Sequence, residues 1–386
     1  MSNRLPDKQI ERPLGLDGRK SSRRERRTSP GVGQIGAALV VLCIVATSSY
    51  IALDERPFRS PPTVVISTPE MVARDQQAPA GYPPVSSGGP SIIKVESSAE
   101  PAGNVIVVRD PTVTVGQDPR VAHLPERDLV EQTDFGPLPI RAVDGRRPFD
   151  VYARPWSGAR GARVAIVIGG IGVSQTGSQY AIANLPPEVT LAFASGGNSL
   201  DRWMAQARQN GHEIVLQVPL EPFDYPEVDP GRNTLTVDAN PEENRDRLYR
   251  SMSRITNYTG LMNYMGARFV TDETALSPFF GELARRGLMY LDDGTSARSL
   301  AQEMAAKAGV PYAAADIAID GERERGAILK KLDEAERTAR AKGFAIATGS
   351  AFDVTVDAVA SWAQEARRRG IEIVPVSALA HDPEKG

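Results

Sequence analysis

The sequence predicts an α/β fold for its second half, with a mainly parallel sheet and helices packed outside it. From residue 162 onward, short apolar runs alternate with segments of helical periodicity. Each run is brief and bounded by turn residues, which is typical of strands buried in a parallel sheet. Seven or eight such βα units suffice for a closed (βα)7-8 barrel or for an open, doubly wound sheet.

Eight apolar runs are the strand candidates. They span 164–168, 189–194, 213–218, 260–262, 288–292, 311–315, 344–348 and 371–376. The barrel is favoured over the doubly wound sheet, because no Gly-x-Gly-x-x-Gly phosphate turn follows the first run. In both architectures ligands bind at the carboxyl ends of the strands.

The helices between these runs have recognisable ends. Asn240 is a residue type that caps helices, and Pro241 after it presets the first turn. Asp272 is a second cap, and Gly287 marks the point where its helix stops. The predicted helices span 240–255, 272–287, 322–342 and 353–369.

The N-terminal part of the chain carries a membrane signal. Residues 35–53 are uncharged and apolar, and their number matches the roughly 20 residues that cross a bilayer core. Six Lys and Arg residues at 19–27 precede this run, and Asp54 and Glu55 follow it. The positive-inside rule therefore predicts a single-pass inner-membrane protein with residues 1–34 in the cytoplasm and the C-terminal domain in the periplasm. A cleaved signal peptide and a buried core helix are the alternatives.

Residues 54–161 are rich in Pro, Ser and Gly, which predicts a mostly extended linker with possible short strands at 105–110 and 113–115. The single cysteine, Cys43, excludes an intramolecular disulfide and a thiolate metal cluster. A net charge of -3 carries no signature of nucleic-acid binding, so no nucleic-acid partner is expected.

The predicted strand ends offer few groups for metal or nucleophilic chemistry. The first strand ends in Gly169 and Gly170, which supply backbone for a tight turn or a close approach. The histidines at 123, 212 and 381 lack metal-ligand spacing, and Gly-x-Ser-x-Gly is absent. Acids do follow two later strands: the loop 219–231 mixes them with aromatic rings, and Asp292 and Asp293 adjoin. Adjacent aspartates on an extended chain point oppositely, and one of them is expected to cap the next helix.

Six motifs occur in a fixed order between residues 162 and 380. They read VAIVIGGIG, LPPEVTLAF, GHEIVLQVPLEPFDYP, NYMGARF, RGLMYLDDGTS and VPVSAL. In this order they resemble the divergent polysaccharide deacetylases, a bacterial envelope branch of the NodB-type deacetylases. The resemblance implies a deacetylase-type barrel that hydrolyses the C–N amide bond of acetylated sugars with a divalent cation.

The positions that matter for catalysis differ from that family pattern. The resemblance implies an Asp-Asp pair after the first strand and three histidines in later motifs. The residues that stand there are Gly169 and Gly170 for the Asp-Asp pair, Gln217 for the His before Leu-Pro-Met-Glu-Pro, Tyr264 for the His of Asn-His-Met-Gly, and Ser350 for the His of Gly-His-Pro. Glycine cannot ligate a metal, and Gln, Tyr and Ser are poor zinc ligands. We therefore expect no cofactor and no deacetylation of the usual type.

The favoured function is a membrane-anchored, non-catalytic protein that binds or scaffolds cell-envelope glycan. The residues expected to bind the ligand are Glu221, Asp224, Tyr225, Asn263, Arg268 and Asp292. The alternative is an active carbohydrate hydrolase or deacetylase whose site is rebuilt from Glu221, Asp224, Asp292 and Asp316, with zinc or another divalent cation. A purely structural role with an envelope protein as partner is the third possibility.

Overall fold

The structure, a computed structural model, describes residues 120–385. The predicted cytoplasmic segment 1–34, the membrane helix 35–53 and the candidate strands at 105–115 lie outside this range. Within it, no helix combines the length and the apolar character needed to cross a membrane.

Strands and helices alternate along most of the described chain. The strands are β1 (Val130–Thr133), β2 (Gly136–Pro139), β3 (Arg163–Ile171), β4 (Thr190–Ala194), β5 (Ile214–Leu220), β6 (Gly260–Met265), β7 (Met289–Asp292), β8 (Tyr312–Ala314), β9 (Ile317–Ala318), β10 (Phe344–Ser350) and β11 (Glu372–Val374). The α-helices are α1 (Pro148–Val151), α2 (Gln175–Asn184), α3 (Leu200–Gln209), α4 (Pro241–Met252), α5 (Glu273–Arg286), α6 (Ala301–Ala308), α7 (Arg325–Lys342) and α8 (Asp353–Arg368). Three short 3₁₀ helices lie at Arg127–Leu129, Phe269–Thr271 and Val376–Leu379.

The strands from β3 to β11 form one parallel sheet. Its order is β8-β7-β6-β5-β4-β3-β10-β9, with β11 paired to β3. The two edges, β8 and β9, are separated along the chain only by residues 315 and 316, so they lie within about 10 Å of each other. The sheet therefore curls into a barrel-like shape, which confirms the predicted parallel barrel architecture. All eight predicted strands occur; β9, which has two residues, is too short for a periodicity signal.

The curled sheet has one apolar core on each face. Successive side chains of a strand point to opposite faces. In β3, Val164, Ile166 and Ile168 belong to the outer core under the helices, whereas Ala165 and Val167 belong to the inner core. The inner core is Phe149, Ala165, Val167, Ala192, Val215, Met262, Met289, Leu291, Ala313, Ile346, Val374 and Val376. Many of these side chains are small, because a curled sheet leaves little space inside it.

The predicted helix ends are present in the structure. The Asn240 side chain accepts from the backbone N–H of Glu243 at 2.8 Å, and the Asp272 side chain caps α5 in the same way. Gly287 ends α5 in the left-handed conformation, with φ +65°. The predicted helix 322–342 corresponds to α7, which begins at Arg325 because the side chain of Glu324 caps it.

Residues 120–161 are not the extended linker that their composition predicts. Leu129 and Leu138 are fully buried, and β1 and β2 form an antiparallel hairpin. Phe149 enters the inner core from the amino-terminal end of the sheet, and its N–H donates to the carbonyl of Gly287 at 3.1 Å. Apolar side chains of this segment therefore offset its ordering entropy by packing on the sheet, a gain that the composition alone does not reveal.

Candidate ligand-binding pocket

A cavity of about 1080 Å³ opens at the carboxyl-terminal ends of β3, β4, β5, β6 and β10. All five positions of the altered motifs line it: Gly169, Gly170, Gln217, Tyr264 and Ser350. The strand period of two explains why four of them meet, because each is an even number of residues beyond an inner-core residue of its strand. The sequence motifs and the strand geometry therefore identify the same site.

Gln217 fills the part of the cavity next to β3. Its side chain is 9% exposed, and its Oε1 accepts from the backbone N–H of Gly170 at 2.8 Å. A Cβ added to Gly169 would lie 2.9 Å from the Nε2 of Gln217, which is closer than real Cβ contacts. The carboxamide thus occupies the space that a side chain at position 169 would need.

The donor atoms at the five positions do not fit a divalent cation. Gly169 and Gly170 have no side-chain donor, and the other three residues supply an amide, a phenol and a hydroxyl. Zinc in proteins is held by imidazole, thiolate or carboxylate. Among residues 120–385, no group of three or more His, Cys, Asp and Glu residues has an arrangement that could hold a metal ion.

The sequence did not predict the charged residues that line the pocket. Arg232, Arg323 and Asp353 line the cavity, and the guanidinium carbon of Arg323 lies 3.9 Å from the ring centre of Phe352. Asp353 is the first residue of α8 and lies three residues beyond the end of β10, and this position was a usable signal. The two arginines lie in loops, where no periodicity predicts which way a side chain faces.

Glu221 and Arg268, two of the predicted ligand-binding residues, bond to each other outside the cavity. The buried carboxylate of Glu221 accepts from the guanidinium of Arg268 and, at 2.6 Å, from the N–H of Val237. Arg268 also donates to Asp238 at 3.1 Å. These contacts tie the loop after β5 to the chain after β6, and both residues are absent from the pocket lining.

Asn263 and Asp292 are likewise engaged within the protein. Asn263 donates to the carbonyl of Met265 and accepts from the N–H of Asp293, at 2.8 and 2.9 Å. Asp292 accepts from the N–H of Gly294 and from the hydroxyl of Ser299. Contrary to expectation, neither aspartate caps α6, because both fold back on the turn that follows β7.

The remaining predicted acids also lie away from the cavity lining. Asp224 is exposed on the loop after β5, and Tyr225 beside it is half-buried. Asp316, from the enzyme alternative, accepts from Lys342 at 2.8 Å and from the N–H of Ile346 at 2.9 Å. The structure therefore brings together the altered motif positions, whereas the predicted ligand-binding set does not converge on the pocket.

The histidines lie elsewhere. His212 precedes β5 at the amino-terminal end of the sheet, is 1% exposed and has its Nδ1 2.9 Å from the carbonyl oxygen of Val189. Burial lowers the pKa of His212. His381 pairs through its backbone with Tyr312. Neither ring reaches the pocket lining.

Comparison with known proteins gives one family. The family model described as divergent polysaccharide deacetylase matches residues 166–380, which is more than half of the chain. An uncharacterized protein of Haemophilus influenzae is 24% identical over 188 residues. The match covers 49% of this chain and 66% of that relative, just under two thirds of its length. The crystal structure of an uncharacterized protein from Agrobacterium tumefaciens is 56% identical, with a TM-score of 0.62 over 63% of this chain and 99% of that one. The chain therefore belongs to the divergent polysaccharide deacetylase family.

Proposed function

We propose that this protein binds a cell-envelope glycan in the pocket and does not hydrolyse it. The main support is the contact of the Gln217 side chain with Gly169 and Gly170. The neutral amide of Gln217 fills the place that the family's Asp-Asp pair would take. Metal-dependent deacetylation requires a cation to polarise the acetyl carbonyl and a base to take a proton from water. The five motif positions provide neither.

The pocket nevertheless has the features of a sugar site. Hydroxyls of Thr176, Ser195 and Ser350 and the amide of Gln217 line it, so hydrogen-bonding groups for sugar hydroxyls are present. The ring of Tyr264 is 42% exposed at the same cavity, which offers a flat apolar surface to a pyranose face. Its volume of about 1080 Å³ lies just above the range of about 300–1,000 Å³ for small-molecule sites.

Membrane anchoring is the second part of the proposal. Its support is the uncharged run 35–53 with basic residues before it and acids after it. A reporter that is active only in the periplasm, fused at residue 119 or at the C-terminus, should be active, and a cytoplasmic reporter at the same points should not. The opposite pattern would place the domain in the cytoplasm.

Catalytic inactivity is tested by acetate release. Full-length protein should release acetate from acetylated chitooligosaccharides and peptidoglycan at the background rate, with or without added zinc. Robust metal-dependent release of acetate would contradict the proposed catalytic inactivity. Asp353→Asn would then be the first variant to measure, since Asp353 is the one carboxylate among the described lining residues.

Glycan binding is tested by retention of the full-length protein on peptidoglycan and envelope polysaccharide. Tyr264→Ala should weaken retention about tenfold, because stacking of a sugar on an aromatic ring is lost. Phe223→Ala is the matched control: this ring is 53% exposed but lies outside the pocket lining. Equal retention of both variants and the unmodified protein would remove the pocket from the proposal.

A further inference from the structure

We infer that the pocket selects an acidic saccharide, and that Arg323 and the start of α8 receive its carboxylate. This inference rests on the proposed glycan binding and specifies its ligand class. It comes from the charges of the pocket, from an uncapped helix terminus and from the unpaired amide nitrogen of a largely buried side chain.

The pocket has the opposite sign of charge from the whole chain. Its described lining contains two cationic side chains, Arg232 and Arg323, and one anionic side chain, Asp353, so its net charge is +1. The whole chain has a net charge of -3. Neither arginine forms an ion pair with a described residue. Two unpaired guanidinium groups at one cavity favour an anionic ligand.

Arg323 is positioned for a planar anion. Its guanidinium stacks on Phe352, with 3.9 Å between the guanidinium carbon and the ring centre. Stacking restrains the plane of the guanidinium and leaves its N–H edge available. That edge matches the two oxygens of a carboxylate, which form paired, charge-assisted hydrogen bonds.

The start of α8 adds positive potential at the same cavity. The capping position is Phe352, which has no side-chain acceptor, whereas Ser174 caps α2 by accepting from the N–H of Gly177 at 3.1 Å. The first N–H groups of a helix have no partner within the helix and carry partial positive charge. Asp353 and Val354, at this terminus, both line the cavity.

Gln217 supplies an independent donor. The residue is more than nine-tenths buried, and its Oε1 is already used by Gly170. Its Nε2 has no acceptor among the described residues, although it lines the same cavity. The nitrogen keeps access to the open cavity, so a ligand oxygen can accept a hydrogen bond from it. The net charge of +1 on the described pocket lining matches the single negative charge of a carboxylate better than the double negative charge of a phosphate monoester.

A matched pair of ligands tests the inference. Oligogalacturonate and its methyl ester differ only in the charge and esterification of their carboxyl groups, and calorimetry with full-length protein measures both affinities. The acid should bind about tenfold more tightly than the ester. This preference should fall between about 0.05 M and about 0.5 M salt.

Three variants connect the preference to the pocket. Arg323→Gln should weaken binding of the acid about tenfold and leave the ester unchanged, and Asp353→Asn should tighten binding of the acid. Arg298→Gln is the matched control, because Arg298 also lies over an aromatic ring, that of Phe223 at 5.6 Å, but outside the pocket lining.

The outcomes separate the two proposals. Equal affinity for acid and ester overturns the acidic ligand class and leaves glycan binding in place. Displacement of the acid by inorganic phosphate at equal concentration also overturns it, since the pocket would then be a general anion site. Failure of both ligands to bind, together with no retention on peptidoglycan or polysaccharide, overturns the proposed function itself.

Discussion

The amino-terminal end of the curled sheet and the pocket at its carboxyl-terminal end differ in how their charged groups are paired. At the amino-terminal end they are buried and paired: Arg147, 3% exposed, donates to Asp382 and Asp150. In the pocket, Arg323 has no ion-pair partner and the amide nitrogen of Gln217 has no acceptor in the described part of the chain. Paired polar groups close the amino-terminal end of the sheet, whereas the unpaired groups of the pocket remain able to bind a ligand.

The pKa values at the amino-terminal end are set by the balance between burial and pairing. Burial lowers the pKa of Arg147, but its hydrogen bonds to Asp382 and Asp150 outweigh burial, so the pKa is raised. Glu213 is fully buried, and burial raises its pKa against the hydrogen bonds that it accepts from Ser377 and the N–H of Arg154. These groups attach residues 147–154 and the C-terminal tail to the sheet.

The largest expected effect is on the stability of the amino-terminal end. Arg147→Ala leaves Asp382, 8% exposed, without its main partner, and breaking such a buried pair costs about 3–5 kcal/mol. Arg141→Ala is the control, because its ion pair with Glu384 is solvent-accessible and contributes under about 1 kcal/mol. Urea unfolding measures both. Equal midpoints for the two variants would contradict the proposed closing role of Arg147.

A second variant separates bracing acids from binding acids. Glu221→Ala removes a buried carboxylate that bonds to Arg268 and to the N–H of Val237, so the free energy of unfolding should fall by about 2–3 kcal/mol. Asp224→Ala on the exposed part of the same loop should change it by less than about 0.5 kcal/mol. If Glu221→Ala abolishes glycan retention without loss of stability, Glu221 is a ligand-binding residue.

A third variant tests the packing of Gln217 against β3. Gly169→Asp should lower the free energy of unfolding by about 1 kcal/mol, because its Cβ displaces Gln217 from the N–H of Gly170. Adding Gln217→Ser should recover part of this loss by making space. No recovery in the double variant would show that the two positions are not coupled. Gly170→Asp should cost about 1 kcal/mol or more by itself, since φ there is +78°.

The smallest effect depends on pH and concerns the turn after β7. Burial raises the pKa of Asp293 above 3.8, so the folded protein holds this proton more tightly than the unfolded chain does. The stabilising contribution of the protonated acid is present below about pH 3.8 and is lost as the pH rises through the folded pKa. Asp293→Asn should therefore be more stable than the unmodified protein at neutral pH, with the difference vanishing in acid. A difference that is constant with pH would rule out this cause.

Local patterns were sufficient for eight of the nine strands described in the sheet and for the place where the motifs meet. Strands such as 164–168 and 213–218 follow from apolar runs bounded by turns, because a strand buried on both faces needs apolar side chains throughout. Four of the motif positions converge because each lies at the middle of a strand or beyond it, toward the carboxyl end, and the strands run in the same direction; these positions are Gly169, Gln217, Tyr264 and Ser350. Helix caps such as Asn240 and Asp272 are also local, because each side chain accepts from a backbone N–H only three residues further along the chain.

Partners distant along the chain were decided only by the tertiary structure. Glu221 and Arg268 are 47 residues apart, and only the adjacency of β5 and β6 makes them a pair that braces a loop. The same holds for Gln217 and Gly170, for Arg147 and Asp382, and for the burial of residues 120–161. The sequence does not reveal whether a polar side chain is paired or unpaired. Its solvation depends on the strands and loops that the fold places beside it.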